Sequence, residues 1–514
     1  MFGHGQTWNN IYGEINYADE FPYSPNTCRS ILADENGISL IYSQADSNFS
    51  TPYMGYMRID FDGEEQFRKL YGNPQEESLT WGLNEHCELL ENDEIVSCGA
   101  RRDWTDSVPN PEALLVKFDG NGDTLWLKTY PAGKWTRADD VIRCSSGGFA
   151  ICGQTRLTAD IQAAQTFLIR TDEQGNFLWR KEYGAVDIWE FGVSLVEHEE
   201  GGFFISGARV TLPEDLSDHY LIKVDSLGIL EWEDYFGNPN LDNSFNTVSN
   251  TSDANYLLAG SETLGGTEDN EERVHRLRKF DIDGNIIWET TGGAEPFWMN
   301  SFTKAREDFN GDYVCVGMSF SDTYYLRGGC LAKFEPVYGD QLWFHKYTYV
   351  QGWDPLSYHE MWDFAPLPNG GYALVGWVTQ SGNTTDIHSQ DIWLLAVDED
   401  GCLEPGCLLV GIEEQVIGLQ ETLKVFPNPL PEGADINIRF EQRSGTLMPY
   451  AQEDTEISIF DMNGRLVKRE LLPATGSHAG FNYTLSSQSL QSGTYLLHWS
   501  AGERWFDSVN FVVE

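Results

Sequence analysis

Apolar and polar residues alternate along most of the chain in short runs broken by Gly, Asn and Asp, the period-two signature of strands joined by tight turns. In Lys223–Gly237, "KVDSLGILEWEDYFG", one alternating run ends, the chain turns at Ser226-Leu227-Gly228, and a second run begins around Trp232. The pattern beneath it is Asp-x-x-Gly-x-x-x-Trp, followed three or four residues later by Tyr or Phe and usually by Gly. It recurs with an aromatic at Phe67, Trp126, Trp179, Trp232, Trp288 and Trp343, in steps of 59, 53, 53, 56 and 55 residues. A seventh turn, "DEDGCLEPGC" (398–407), has no Trp after it, while "TWNNIYG" (7–13) has the Trp run with no turn before it.

Between these turns lies a second element, Gly-Gly-aromatic with Gly four residues on: "GGFAICG" (147–153), "GGFFISG" (201–207) and "GGYALVG" (370–376), with weaker copies in the other units. Each unit thus holds about four strands. Units of four strands at a period of roughly 40–60 residues predict a β-propeller. One such sheet cannot cover both its faces, whereas seven stacked around an axis can. The fold class is therefore all-β: a seven-bladed propeller over residues 1–407, closed by residues 7–13 pairing into the last blade, then a linker at 408–420. The alternating runs from 421 to 514 predict a small Ig-like β-sandwich.

Two resemblances follow from these residues. The repeat is similar to the tryptophan-docking motif of quinoprotein-dehydrogenase-like propellers, in which the Trp docks one blade on the next; the likeness implies architecture and not quinone chemistry. The C-terminal segment resembles the type A sorting domain of proteins exported by the type IX (Por) secretion system of Bacteroidetes. The matching pieces are Pro427-Asn428-Pro429, "IFDMNGRLV" (459–467) and the Gly493, Tyr495 and Leu497 stretch. That resemblance implies the type IX machinery as a partner and a secreted or cell-surface location. The first residues carry no complete signal peptide, so the expectation is that an N-terminal signal is missing or truncated in this sequence.

Composition narrows the function. A net charge of −47, from 80 acidic and 33 basic residues, excludes nucleic acid as a partner, since phosphate contacts need clustered Lys and Arg. It fits a solvated exported surface or a divalent-cation binder. No apolar run approaches a membrane-spanning length. Six of the nine cysteines are disulfide candidates by hairpin placement: Cys87 with Cys98, Cys144 with Cys152, and Cys402 with Cys407; the other reading is small buried hydrophobes. The ten histidines show no zinc spacing, and no cofactor is implied. "DGNGD" (119–123) is either a hairpin turn or the start of a calcium loop.

Counting back fourteen residues from the aromatic or Ile that starts the Gly-Gly-type strand in each unit lands on Trp81, Trp135, Trp189 and Tyr358, with Trp298 one residue off. These aromatics precede the innermost strands. They either stack on sugar rings, with Asp139, Asp140, Glu190 and Asp363 nearby for hydroxyls, or plug gaps between blades. The functional readings are a non-catalytic binding or adhesion module for glycan or a cell-surface protein, a polysaccharide hydrolase or lyase, and a structural surface-layer component. An acid pair about 5–10 Å apart would mark the enzyme.

Overall fold

The computed structural model describes residues 7–513, apart from 13–25, 46–51, 157–163, 294–299, 349–358, 381–388, 404–414, 418–422, 441–453, 475–480 and gaps of one to four residues elsewhere. Each repeat unit forms an antiparallel four-stranded blade, with the inner strand of blade two in two pieces, Glu77–Trp81 and Cys87–Leu89. Blade three shows the plan: Trp135–Arg143 innermost, then Phe149–Arg156, Gln165–Thr171 and Phe177–Tyr183. Seven such blades are present among the described residues. The seventh is completed out of sequence order, because Trp8–Tyr12 pairs with Ser389–Val397, Trp8 opposite Ala396.

The repeated Trp, Tyr and Gly are three parts of one joint. The Gly of every Asp-x-x-Gly turn sits at positive φ, between 71° and 85°, against the aromatic of the preceding blade. A Cβ on Gly63, Gly122, Gly175, Gly228, Gly284, Gly339 or Gly401 would fall 2.6 to 3.1 Å from Trp8, Phe67, Trp126, Trp179, Trp232, Trp288 or Trp343 respectively. The Tyr four residues after the Trp donates its hydroxyl to the same glycine's carbonyl: Tyr130 to Gly175 at 2.8 Å, Tyr183 to Gly228 at 2.9 Å and Tyr347 to Gly401 at 2.6 Å. Tyr12 and Tyr71 do so to Gly63 and Gly122. Trp8 and Tyr12 therefore close the ring with the joint used elsewhere.

The turn Asp caps its own hairpin. Asp119 Oδ1 accepts from the amides of Asn121 (3.0 Å) and Asp123 (2.8 Å), and Asp172, Asp225 and Asp281 repeat this. "DGNGD" thus has a turn's hydrogen bonding, an Asp side chain standing in for the next backbone acceptor. A second periodic feature lies one residue before the end of the third strand in five blades. Arg58, Lys117, Lys223, Lys279 and Lys333 reach back to the neighbouring turn, pairing with Asp34, Glu94, Glu200, Asp253 and Asp308 at 2.6 to 3.0 Å.

The cysteines correct two expectations. Cys28, Cys87, Cys98, Cys144, Cys152, Cys315 and Cys330 are free and buried. Cys87 pairs across the sheet with Ser97, so Cys98 points to the opposite face: Cys87 packs toward blade one and Cys98 toward blade three. Cys144 and Cys152 share a face, but Cys144 closes the turn opposite Gly148. Cys152 lies four residues further along that strand, roughly 13 Å away, beyond the ~7 Å limit for bridged Cα atoms. Cys402 is disulfide-bonded, while Cys407 lies outside the described residues.

The C-terminal segment folds as two facing sheets. Leu423–Phe426, Ile436–Phe440 and Phe481–Leu485 form one; Thr455–Asp461, Leu466–Leu472, Gly493–Ala501 and Arg504–Val513 form the other. Leu497, Trp499, Ile438 and Phe511 fill the core between them. Inside the expected linker, Gln415–Ile417 runs parallel to both the outer strand of blade six and the strand Arg504–Val513.

Two measurements test this description. Gly175→Ala adds a Cβ 2.8 Å from Trp126 at φ +71, whereas Gly201→Ala meets nothing within 4 Å at φ +83. Left-handed strain costs each about 1–2 kcal/mol, and only Gly175→Ala should lose a further ~1 kcal/mol or more from displaced aromatic packing; chemical denaturation of the two variants reads the difference. Burial pushes the thiols of Cys28 and Cys144 up to about 12. A thiol reagent without reductant should leave the seven free cysteines unlabelled in the native chain and label all seven after unfolding, read by peptide mapping.

Candidate functional site

The innermost strands meet around the ring's axis, and their irregularities decide what is presented there. Five of them carry a one-residue bulge, at Arg29, Asp139, Val193, Thr303 and Trp362. A bulge re-aims side chains and frees backbone groups from the ladder. The residue after the bulge, with its counterparts in blades two and five, gives Ser30, His86, Asp140, Ser194, Thr247, Lys304 and Asp363, all buried.

These polar groups tie neighbouring blades together at five of the seven junctions. Ser30 Oγ meets Cys87 Sγ at 2.8 Å, Asp140 Oδ2 accepts from Leu195 N at 2.7 Å, and Val248 N donates to Ser194 Oγ at 3.3 Å. Thr247 Oγ1 donates to the Thr303 carbonyl at 3.0 Å, and Asp363 Oδ2 accepts from Ile31 N at 3.0 Å, passing from blade seven to blade one. Arg306 adds 2.6 Å contact to Asp363 Oδ1. Lys304, of blade six, lies close enough to blade three for its charge to act on the Cys152 thiol, opposite Asp140. The axis is thus filled by a buried polar plug.

This changes the role of the carboxylates expected to meet sugar hydroxyls. Asp140 and Asp363 hold backbone amides of the neighbouring blade. Asp139 is paired with Arg137 at 2.8 Å. Burial pushes the Glu190 carboxyl up, offset by the Tyr235 hydroxyl at 3.1 Å and Arg209 at 3.5 Å. All four are buried. Among the described residues, no group of three or more His, Cys, Asp or Glu stands together to hold a metal.

Above the plug, on the face where each chain segment enters an inner strand, aromatics and guanidinium groups alternate. Trp135 and Trp189 occupy equivalent places, opposite Arg156 and Val210, each three residues beyond the Gly of its second strand. Arg156 lies between them, 4.8 Å from the Trp135 ring and 4.9 Å from Trp189 of the next blade. A second column holds Trp362, Arg29 and Trp81, with Arg29 3.7 and 5.3 Å from the two rings, and Trp81 stacks on His86 at 5.5 Å. Trp81 is not equivalent to Trp135. It pairs with Gly99, the place Ala138 takes opposite Gly153, because the inner strand of blade two is interrupted after Trp81 and resumes at Cys87. Trp298 and Tyr358 lie outside the described residues. The three described indoles of the set, Trp81, Trp135 and Trp189, are half-buried.

The opposite face is built from the turns. A cleft of about 340 Å³ there is lined by Glu197, His198 and Tyr256. Glu197 is already committed to Ser145, accepting from its amide at 2.6 Å and its hydroxyl at 3.0 Å.

Sequence reading missed Arg29 and Arg156. The available signal was Arg156 in the position cross-strand from a suspected aromatic; lone arginines on a strand carry no motif of their own.

A second functional element lies in the C-terminal sandwich. Asn428 donates to the Asn510 carbonyl (3.1 Å) and accepts from Val512 N (3.0 Å), so the Pro-Asn-Pro turn of 427–429 is laid against the last strand. Gly493 pairs with Val513, and Tyr495 stacks on Phe511 while its hydroxyl holds Gln491 at 2.8 Å. Motif residues some sixty positions apart in sequence thus converge on one strand.

Residues 424–514 match the family model described as the secretion system C-terminal sorting domain. This is a type IX sorting domain; it marks the chain as secreted or displayed at the cell surface and implies engagement of the type IX machinery. No helix among the described residues is long and apolar enough to cross a membrane. No curated protein matches the chain. Among solved structures it is similar to the β-propeller domain of the Trilobed protease from Pyrococcus furiosus, at 9% identity and a TM-score of 0.38, covering 76% of this chain and 99% of that one. A PL25 ulvan lyase matches at 9% identity and 0.41, covering 76% and 97%. The Pyrococcus horikoshii acylaminoacyl peptidase matches at 12% and 0.38, covering 83% of this chain and 59% of its own length.

If the plug carboxylates hold the ring, Asp363→Asn should destabilise the chain by about 3 kcal/mol, the order for breaking a buried charge pair. An unchanged melting temperature would return Asp363 to the pool of groups available for a ligand.

Proposed function

We propose that the propeller is a non-catalytic, surface-displayed binding module for glycans, with the face around Trp135 and Trp189 receiving the ligand. The observation that carries this reading is the pair of half-buried indoles held at equivalent places on adjacent inner strands. Sugar rings present apolar C–H faces that stack on flat aromatic surfaces, and rigid neighbouring strands fix the spacing between two such surfaces. Binding is favoured over hydrolysis or lysis because the four carboxylates near this face are buried and engaged. A glycosidase needs one carboxyl able to give a proton and another facing the sugar or a water.

The export signal fits this role, since a binding module acts where its ligand is, outside the cell. Adhesion to a cell-surface protein and a structural surface role remain the outcomes against which the reading is tested.

The test is a glycan array probed with the full chain and with Trp135→Ala and Trp189→Ala, with every hit assayed for reducing-end release. Each variant should weaken binding about tenfold, the equivalent of one stacking contact. Stability should fall by less than the ~3–5 kcal/mol of a fully buried Trp. Full-strength binding by both variants would assign the indoles to blade packing. Release of reducing ends would restore the enzyme reading.

A further inference from the structure

Arg156 stands apart from most cations of this acidic chain. Arg58, Arg101, Arg137, Lys223, Lys279 and Lys333 each pair with a carboxylate within 4 Å. The hydrogen-bond partner found for Arg156 is the neutral Gln154 amide oxygen, 3.0 Å from Nη2, and its Nε is buried without a partner among the described residues. Burial, and then the Arg137 charge beside it, lower its pKa, while Asp139 acts the other way. Among the described residues, two guanidinium groups therefore share one carboxylate, and that carboxylate lies 2.8 Å from Arg137. The described residues of this corner carry a local excess of positive charge in a chain of net charge −47.

Geometry completes the case. The Arg156 guanidinium is held between two indole rings, Trp135 of its own blade and Trp189 of the next. Stacking of this kind fixes a guanidinium's plane and leaves its edge to donate; a planar fork of N–H groups matches a carboxylate or a sulfate bidentately. A charge set beside a sugar platform, with its rotamer fixed in advance, costs less ordering on binding than a free surface arginine.

We infer that Arg156, supported by Arg137, forms an anion subsite between Trp135 and Trp189, and that the ligand is an acidic glycan bearing a carboxylate or sulfate-ester group. This rests on the glycan reading of the same face. The net negative charge does not forbid it. At physiological ionic strength, screening confines repulsion from distant carboxylates to a Debye length of about 8 Å, and the subsite charge acts at contact.

The experiment is a binding series on the full chain at 0.15–0.5 M salt, a range chosen to span that screening. The glycan array carries matched pairs: dextran against dextran sulfate, methyl-esterified pectin against polygalacturonate, and other neutral glycans beside their acidic forms. The expected result is a preference of tenfold or more for acidic members, weakening as salt rises. Arg156→Gln should cost about 10- to 100-fold in affinity for them, the scale of a lost charge-assisted hydrogen-bond pair. Arg156→Lys, which keeps the charge but loses the planar fork, should fall between; it also serves if the Gln variant melts early. The sulfate and uronate arms identify the group bound. Equal binding of neutral and acidic members, or acidic binding unaffected by both variants, would overturn the subsite and leave the glycan reading standing. Binding of no glycan at all would remove both.

Discussion

The fold depends on one joint, an aromatic ring lying on the bare Cα of a turn glycine in the next blade, reinforced in five blades by a tyrosine hydroxyl on that glycine's carbonyl. A four-stranded sheet standing alone leaves both faces wet. Closure gives every blade two neighbours and turns the inner faces into continuous core, such as the cluster of Phe149, Ile151, Val96 and Leu115 between blades two and three. Only glycine serves in the joint. Its positive φ and the missing Cβ are needed at the same position, so the sequence repeats Gly as strictly as Trp. The joint is directional, each blade offering an aromatic forward and a glycine backward. Such a heterologous contact must close or run on. Trp8 and Tyr12, supplied from the far end of the chain, close it.

That directionality explains what could be read from the residues alone. Trp, Tyr and Gly are rare letters at fixed spacing, so blade number, joint and the out-of-order last strand were all legible. The axial plug was not. Ser30, Asp140 and Ser194 are ordinary strand residues in the sequence, and they are brought to the axis by bulges that carry no sequence signature. The bulges also explain why counting residues found Trp135 and Trp189 in equivalent places but misplaced Trp81, where a one-residue bulge is replaced by a longer interruption. The pair Cys87 and Cys98 failed for a related reason. Hairpin proximity in sequence does not say which face a side chain takes, and a shift of one residue reverses it.

The acidity has a structural origin as well as a solvent one. Asp recurs in the turns because its side chain caps two amides of the hairpin, and a basic residue one place before the end of most third strands clamps an adjacent turn. Each is a local device repeated around the ring, so the turn-bearing face accumulates negative charge by repetition. Cations are spent in these clamps, and the chain has 33 to distribute against 80 acids. An arginine with no carboxylate of its own among the described residues is therefore informative here in a way it would not be in a balanced composition.

Joint, plug and entry face also bear on one another. Trp189 belongs to blade four and Arg156 to blade three, so the guanidinium is sandwiched only while those two blades are docked. The docking is maintained from the rim by Trp179 and Tyr183 on Gly228, and from the axis by Asp140 on Leu195. Loosening either end lets the two indoles separate and the guanidinium swing free, without touching a residue of the face itself. Ligand recognition at this face would thus draw its rigidity from ring closure, and the same repetition that makes the propeller stable would set the spacing at which it can read a polymer.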